Sequence, residues 1–336
     1  GQMLSNRADI IPEDLRMELV KLQDNVPVEP MDLRAKLAES LDIDVDAHFS
    51  HIDTEPIAAA SIAQVYRAVR LDGKEVIIKV KRSGISDVVH ADLGFLKDLI
   101  KLLREKYEVI YKMNLYEIVQ SFGKSLVNEL SFTNELNYID KFRRNFKGNQ
   151  EIYVPKVYRE LSNDEILCME FIDGVKINDI ESLQAMGLQT QDVLQRCLDL
   201  FLEQVLQHGF FHADPHPGNV LVNKRGQVVF IDFGAMGFII PDDRDIIEAM
   251  VINFLMNDAK DLIRNIKKLA VIHIIEDERQ LERDAYEMFQ LIEQNALADI
   301  DIAVMLSKLD SILQSNSILL PDFVYILLRG VSILEG

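Results

Sequence analysis

Two short stretches decide the fold: HADPHPGN at residues 212–219 and IDFG at residues 231–234. Asn219 follows Asp214 by five positions (219 − 214), and Asp232 follows it by eighteen (232 − 214). Apolar runs at 220–222 and 228–231 flank a turn-like segment at 223–227, which predicts a hairpin of two short strands. Such a hairpin would hold Asn219 and Asp232 close together at its two ends.

This spacing is typical of the catalytic and metal loops of kinases. Phosphoryl transfer requires positioning and charge neutralisation: one carboxylate orients the acceptor oxygen, while an asparagine and a second carboxylate hold Mg²⁺. The pattern therefore predicts Asp214 as the base or orienting carboxylate, with Asn219 and Asp232 as magnesium ligands. Two alternatives remain open: His212, Asp214 and His216 form a metal cluster, or Asp-Pro and His-Pro-Gly only mark turns.

Composition limits the class of protein. The 336 residues suffice for one large domain or two lobes, and 48% hydrophobic with 27% charged residues is ordinary for a globular chain. The formal charge of −19 argues against a nucleic-acid partner, because phosphate binding needs a basic face. Cys168 and Cys197 lie in apolar stretches and indicate small buried residues in a reducing compartment. We expect neither a signal peptide nor a bilayer-spanning apolar run.

The periodicity of apolar residues predicts the order of elements. Helices are predicted at 13–22, 31–41, 87–107, 115–145 (interrupted near Ser131) and 191–208, and from Asp243 to the end. Strands are predicted at 59–60, 65–71, 75–80, 156–160 and 165–171, with a hairpin at Asp72-Gly73. The order predicts an α+β, bilobal, protein-kinase-like fold. Its parts are an N-terminal helical extension (1–50), a small sheet-containing N-lobe (51–172) and a mainly helical C-lobe (173–336).

Lys79 lies near the end of a predicted strand, at the position of the kinase lysine that binds the α and β phosphates. Considered alone, it would more simply be an edge lysine on a solvated face. A role in phosphate binding requires an acidic partner on a following helix, and Glu129 and Glu135 are the candidates. Glu170 and Ile172 end the strand before Asp173-Gly174, as expected for a backbone hinge that hydrogen-bonds adenine.

The segment AAASIAQV occupies the place of the loop that covers the phosphates, and it contains no glycine. Protein kinases use glycine there because it lets the backbone approach the phosphates closely. We expect nucleotide selectivity or turnover to differ from an ordinary kinase; a plain alanine-rich strand is the alternative. The candidate cofactor-binding residues of this segment are Ala58, Ala59, Ala60, Ser61, Ile62, Ala63, Gln64 and Val65.

The segment after Gly234 leaves little room for a peptide substrate. A helix start is signalled at Pro241-Asp242-Asp243, no Ala-Pro-Glu follows, and Ala213 stands before Asp214 where protein kinases carry an arginine. These features favour a small molecule, a lipid or water as the phosphoryl acceptor.

Several motifs in order resemble the UbiB/ADCK family of atypical kinases, which support isoprenoid quinone (ubiquinone-type, coenzyme Q) biosynthesis. They are GQMLSNRADIIP at 1–12, LQDNVP at 22–27, the alanine-rich loop and the catalytic loop. The chain begins at Gly1, without the lysine of the family's Lys-x-Gly-Gln motif. In the family that segment folds over the active site, which places Gln2, Arg7 and Glu129 on the regulatory or substrate side. The family's Glu-x-Asp here reads Glu129-Leu130-Ser131, and this register assigns Glu135 to Lys79.

The resemblance implies an Mg²⁺- and ATP-binding protein, an ATPase acting on or with lipid precursors of an isoprenoid quinone. Implied partners are those lipids or a membrane surface, and quinone-biosynthesis proteins. A cytoplasmic or matrix-side location peripheral to a membrane is expected, with membrane-anchoring segments outside this sequence. Two alternatives stay open. One is a nucleotide-binding pseudokinase scaffold of a biosynthetic complex, and the other is a small-molecule or protein kinase.

Overall fold

The structure is a computed structural model, and it describes residues 27–106, 115–275, 277–293, 308–309, 311–313, 315–316 and 318–335. The helix predicted at 13–22, together with Gln2 and Arg7, lies outside these residues, as does the side chain of Glu129. The chain divides into two compact units. The first comprises Gly1–Lys141 and Pro155–Ile172, and the second comprises Phe142–Val154 and Asp173–Gly336.

An antiparallel sheet forms the centre of the first unit. Its strands are β1 (Phe49–Ile52), β2 (Ala58–Ala59), β3 (Ala63–Arg70), β4 (Glu75–Lys81) and β5 (Ile166–Glu170). They follow the order β1-β3-β4-β5, and β2 pairs with β3. The β3–β4 hairpin turns at Gly73, whose φ of 79° lies in the left-handed region, as the Asp72-Gly73 signal predicts.

The two faces of this sheet differ, because successive side chains of a strand point to opposite sides. Tyr66, Ile78 and Cys168 belong to a buried apolar cluster that also contains Leu37 of the first helix. Burial raises the pKa of the Cys168 thiol to about 12, so it stays protonated. Lys79, displaced by one position from Ile78, belongs to the other face.

Four described helices begin in the first unit: α1 (Leu33–Leu41), α2 (Ile85–Lys106), α3 (Leu115–Glu129) and α4 (Phe132–Asn145). The residues of α4 from Phe142 onward belong to the second unit. The predicted interruption near Ser131 is confirmed, since it separates α3 from α4. The predicted strand at 156–160 is wrong. Only Val157 pairs, in an isolated bridge with Met169, and a 3₁₀ turn at Arg159–Leu161 follows.

The second unit is mainly helical. Its helices are α5 (Ile180–Ala185), α6 (Thr190–Leu202), α7 (Pro241–Leu255), α8 (Ala259–Leu269), α9 (Glu278–Glu293) and α10 (Asp322–Glu335). Its short strands are β6 (Gly174–Lys176), β7 (Phe210–His212), β8 (Val220–Asn223), β9 (Val228–Phe230), β10 (Met236–Phe238), β11 (Ile272–His273) and β12 (Ile318–Leu319). The pair β11–β12 corrects the expectation of an entirely helical end.

The helix predicted at 191–208 changes character before its end. After α6 the chain continues as a π-helix from Glu203 to His208, and Gly209, with φ 54°, ends it. π segments concentrate at functional sites, and this one places the buried Gln204 close to the start of the catalytic loop. In the part of the chain that the structure describes, no helix is long and apolar enough to cross a membrane.

Candidate active site

Within the second unit, hydrogen bonds of His212 connect the catalytic loop (212–219) to the metal loop (231–234). It is the last residue of β7, opposite Met236 of β10. Its Nε2 lies 2.6 Å from the carbonyl oxygen of Asp232, and its Nδ1 lies 3.1 Å from the backbone nitrogen of Asp214. Because a carbonyl only accepts and a backbone N–H only donates, the ring carries its proton on Nε2. Burial lowers the pKa of His212, although the bond to Asp232 opposes this effect, so the imidazole is neutral.

This bonding removes the metal-cluster alternative for the loop. Both ring nitrogens of His212 already have backbone partners, and Nδ1 of His216 accepts a hydrogen bond from the backbone nitrogen of Gly218 at 2.9 Å. Among the described residues, no group of three or more His, Cys, Asp or Glu side chains could hold a metal ion.

The β8–β9 hairpin brings Asn219 and Asp232 to the same end, as the sequence predicts. Val220 pairs with Phe230, and just beyond this pair the backbone nitrogen of Ile231 donates to the carbonyl oxygen of Asn219 at 3.0 Å. The amide nitrogen of Asn219 lies 3.4 Å from the carbonyl oxygen of Asp214, a weak contact that directs the amide oxygen elsewhere. A carboxylate oxygen of Asp232 accepts from the backbone nitrogen of Gly234 at 3.0 Å.

These donors fit the ion that a kinase-like site implies. Asp232 offers a carboxylate and Asn219 an amide oxygen, and Mg²⁺ prefers oxygen ligands over nitrogen or sulfur. Magnesium sites in nucleotide-binding proteins use one or two protein ligands and complete the shell with phosphate oxygens and water. Asn219 and Asp232 therefore provide enough protein ligands, and the right type of ligand atom, for a magnesium ion of this kind.

An aromatic cluster packs against the metal loop. The buried ring of Phe233 lies edge-on to Phe142, with 5.2 Å between ring centroids. Phe142 makes similar contacts with Phe230 at 5.7 Å and with Phe210 at 6.4 Å. The hairpin, β7 and the metal loop therefore share one apolar support, and edge-to-face pairs add specificity to such packing.

Gln204 is a supporting residue that the sequence analysis missed. Its side-chain oxygen accepts the backbone N–H of His212 at 2.8 Å, and the residue is fully buried. The available signal was an amide side chain directly before Val205 and Leu206, eight positions before His212 (212 − 204). That signal becomes informative only when the π-helix turns the side chain toward β7.

In the first unit, Lys79 and Glu135 form a buried ion pair with 2.6 Å between Nζ and Oε1. Lys79 is 9% exposed and Glu135 is 3% exposed. Lys79 stands on a central strand, between Val65 of β3 and Leu167 of β5, which excludes the simple edge lysine. The acidic partner lies on α4, as the sequence register indicates.

The alanine-rich segment forms a tight hairpin, which corrects the alternative of a plain strand. Ala58 pairs with Val65, and the backbone nitrogen of Ala60 donates to the carbonyl oxygen of Ala63 at 2.8 Å. Residues 60–62 form the turn, with Ala60 and Ser61 exposed. The side chain of Arg82 donates to the carbonyl oxygen of Ala60 at 2.8 Å and so holds the turn from one side.

Gln64 lies on the face of the sheet opposite to that of Lys79. It pairs with Val80, so its side chain belongs to the apolar face of the sheet, opposite to that of Lys79. Its amide oxygen accepts from the backbone nitrogen of Glu29 at 2.7 Å, and its nitrogen donates to the hydroxyl of Tyr66 at 3.1 Å. The structure thus gives this side chain a role in anchoring the segment that precedes α1.

The candidate hinge follows β5. Glu170 ends the strand, and its carboxylate accepts from the backbone nitrogen of Lys156 at 3.0 Å. The backbone nitrogen of Phe171 donates to the carbonyl oxygen of Glu75 at 3.1 Å. Ile172 comes next, partly buried, as the last residue of the first unit.

A strand lysine paired with a helix glutamate, and an Asp, Asn and Asp set at kinase spacing, define a protein of the kinase-like class with an α+β fold. Residues 21–266 match the family described as the ABC1 atypical kinase-like domain, which is more than half of the chain. The chain belongs to this family. The resemblance to UbiB/ADCK proteins, predicted from the motifs, is confirmed.

Two named relatives agree with this assignment. The chain is 35% identical over 279 residues to "Probable protein kinase UbiB" of Azotobacter vinelandii, an alignment covering 82% of this chain and 51% of that protein. It is 32% identical over 338 residues to "Protein ACTIVITY OF BC1 COMPLEX KINASE 7, chloroplastic" of Arabidopsis thaliana, covering 100% of this chain and 48% of that protein. The chain therefore spans about half the length of these curated relatives.

The fold matches the Rv3197–erythromycin complex structure from Mycobacterium tuberculosis. The TM-score is 0.56 at 23% sequence identity, and the match covers 99% of this chain and 85% of that one. At this identity the likeness shows the fold alone.

Proposed function

We propose that this chain binds Mg-ATP and acts as an atypical kinase-like ATPase. Lys79 binds the phosphates and Glu135 holds its ammonium group in place. Asn219 and Asp232 hold Mg²⁺, which neutralises charge on the phosphates when bound. Asp214 orients the attacking oxygen or accepts its proton.

The observation that carries this proposal is the neutral His212 bonded to the backbones of both Asp214 and Asp232. Phosphoryl transfer depends on the relative placement of the carboxylate that orients the acceptor and the one that binds the metal. A buried, uncharged ring bonded to both segments preserves that placement before any ligand arrives. This supports an organised catalytic loop rather than a chance match of spacing.

The segment after the metal loop supports a small acceptor. Only residues 235–240 separate Gly234 from Pro241, the first residue of α7. Three of them form β10, which pairs with β7, so this stretch is already part of a sheet. A peptide would find little extended backbone to bind beside. We propose water or a lipid precursor of an isoprenoid quinone as the acceptor, with quinone-biosynthesis proteins or a membrane surface as partners at a peripheral, cytoplasmic or matrix-side location.

The test follows γ-labelled ATP with Mg²⁺, in the presence and absence of anionic liposomes. We expect label to appear as free phosphate, faster with liposomes, and Asp232→Asn to abolish this release. Asp199→Asn is the matched control, because Asp199 is an exposed carboxylate on α6 whose described bond is to Gln195. Unchanged turnover in Asp232→Asn would contradict the metal assignment, and label on a protein or small molecule would replace the ATPase with a kinase.

A second candidate is a nucleotide-binding scaffold without turnover. The observation that favours it is the turn at residues 60–62, where Ala60, Ser61 and Ile62 carry side chains in place of the glycines that allow close approach to phosphate. Binding of ATP with no release of label from the wild-type chain would select this candidate.

A further inference from the structure

β4 carries a second buried lysine beside the one in the proposed phosphate site. Lys79 and Lys81 are two positions apart, so both side chains lie on the same face of the sheet. Lys81 is 6% exposed. Its Nζ lies 2.6 Å from one carboxylate oxygen of Asp164, in the loop just before β5, and 5.6 Å from the centre of the Phe132 ring.

The other carboxylate oxygen of Asp164 reaches the start of α4. The hydroxyl of Ser131 donates to it at 2.7 Å. The same hydroxyl accepts the backbone N–H of Asn134 at 3.3 Å, so Ser131 caps the helix. The Asp164 carboxylate therefore bridges a lysine of the central strand and the N-terminal cap of the helix that carries Glu135.

The two contact points are spaced by nearly the same distance along the strand and along the helix. Two residues of a strand span about 6.6 Å, and the four residues from Ser131 to Glu135 span about 6 Å along a helix. Lys79 contacts Glu135 directly, while Lys81 reaches Ser131 through Asp164. One contact leaves a helix free to rotate or tilt about that point, whereas two contacts at matched spacing define its orientation.

We propose that Asp164 is a positioning residue, which fixes the first turn of α4 against β4 and thereby sets the Glu135 carboxylate at the ammonium group of Lys79. This inference rests on the proposed function only for the effect that it predicts on ATP turnover. The structural part, an ordered first turn of α4, holds whatever the chain binds.

The charge state of the bridge agrees with this role. Partial burial raises the pKa of Asp164, but the hydrogen bonds from Lys81 and Ser131 outweigh it, and the net pKa is below its ordinary value. The carboxylate therefore stays ionised near neutral pH. A nearly buried lysine that lost this partner would keep a poorly solvated charge. The ion pair therefore stabilises the charge of the buried Lys81 more than that of the more exposed Asp164.

The neighbouring carboxylate offers a matched control. Glu165 is 52% exposed at its side chain, close to the 55% of Asp164, and it forms an ion pair with Lys36 at 2.5 Å. The variants to compare are Asp164→Ala, Asp164→Glu and Glu165→Gln. All three change one partly exposed carboxylate in the same loop, but only the first removes the bridge to α4.

The first readout is hydrogen exchange of the backbone amides of Asn134 and Glu135, which needs no nucleotide. We expect Asp164→Ala to accelerate their exchange about tenfold or more relative to wild type, since a lost cap and bridge open the first turn by local unfolding. Glu165→Gln should leave these amides unchanged. Equal exchange in Asp164→Ala and Glu165→Gln would overturn the proposal.

The second readout is ATP turnover. We expect kcat/KM to fall by about 10- to 100-fold in Asp164→Ala, because a small misplacement of a positioning pair has effects of this size. Asp164→Glu should recover part of the loss, and Asp164→Ala should add little in a Glu135→Gln background. If the losses of kcat/KM caused by Asp164→Ala and Glu135→Gln were fully additive, Asp164 would not act through Glu135, and this result would also overturn the proposal. If the wild-type chain turns over no ATP, the proposed activity fails while the exchange experiment still decides the role of Asp164.

Discussion

The ring of His212 lies 2.6 Å from the carbonyl oxygen of Asp232 and holds the metal loop against the strand that leads into the catalytic loop. A protonated ring would have to donate from both nitrogens, yet Nδ1 faces the backbone N–H of Asp214, which is itself a donor. The arrangement therefore exists only with a neutral imidazole. Proton uptake at this ring and the integrity of the site are coupled.

The first prediction concerns the pH dependence of stability. Burial lowers the pKa of His212 below its ordinary value of about 6.5. Below about pH 6.5 the unfolded chain therefore binds a proton that the folded chain does not, so the free energy of unfolding should fall as the pH decreases through this range. Urea unfolding at pH 8.0 and 5.5 should show a smaller loss in His212→Gln than in wild type.

The same variant should be about 1–3 kcal/mol less stable than wild type at pH 8.0, because it disturbs the two hydrogen bonds of a buried ring. His51→Gln is the control, since His51 is an exposed residue paired with Asp53. An identical pH dependence in His212→Gln and wild type would contradict the neutral, buried ring.

The second prediction separates stability from function at the ion pair. Glu135→Leu leaves the nearly buried Lys79 without this carboxylate, and removing one partner of a buried pair costs about 3–5 kcal/mol. The double variant Lys79→Met/Glu135→Leu should regain most of that stability, because an apolar pair of similar volume replaces both charges. Chemical unfolding measures the recovery.

Nucleotide binding, unlike stability, should not recover in the double variant. Titration with Mg-ATP should show weakened binding in the single variant and no recovery in the double variant, because the phosphate-binding ammonium group is gone. Recovery of both stability and binding together would show that Lys79 does not contact the nucleotide.

The third prediction concerns the tight turn of the catalytic loop. A Cβ atom added at Gly218 would lie 2.5 Å from Cε1 and 2.9 Å from Nδ1 of the His216 ring, so the ring must move and release its bond to the Gly218 nitrogen. Gly218→Ala should reduce turnover by about 10- to 100-fold through displacement of the adjacent Asn219. Steady-state kinetics measures the loss.

Gly94→Ala is the matched control, because Gly94 lies within α2 and a Cβ there meets nothing within 4 Å. Alanine is the better helix former by about 1 kcal/mol, so this variant should keep its activity and become slightly more stable. Equal activity in the two variants would mean that the His216 turn does not position Asn219.

The fourth prediction concerns the alanine-rich turn. Ala60→Gly should change the affinity for ATP or ADP by about fivefold, equivalent to about 1 kcal/mol, because glycine lets the backbone approach a phosphate more closely. Equilibrium titration with both nucleotides measures this change. Ala185→Gly, at an exposed position ending α5, controls for a general effect of glycine. Unchanged affinities for both nucleotides would show that the turn does not cover the phosphates.

Spacing in the sequence was enough to predict the elements that local interactions define. The Asp72-Gly73 hairpin, the interruption near Ser131 and the β8–β9 hairpin depend on turn residues and on periodicity, and the structure contains all three. The strand predicted at 156–160 was wrong, because a segment forms a strand only where a neighbour supplies a continuous ladder. Here only Val157 finds a partner.

The sequence by itself determined the kinase-like class and the family of this protein, because the catalytic set is encoded as residue types at characteristic separations along the chain. The tertiary structure decided how those residues are supported. The bond from Gln204 to His212 depends on a π-helix, and the opposite orientation of Gln64 and Lys79 depends on strand pairing. The bridge through Asp164 joins three segments distant in sequence. Local pattern specifies which residues are present, but only packing of distant segments fixes which polar groups meet.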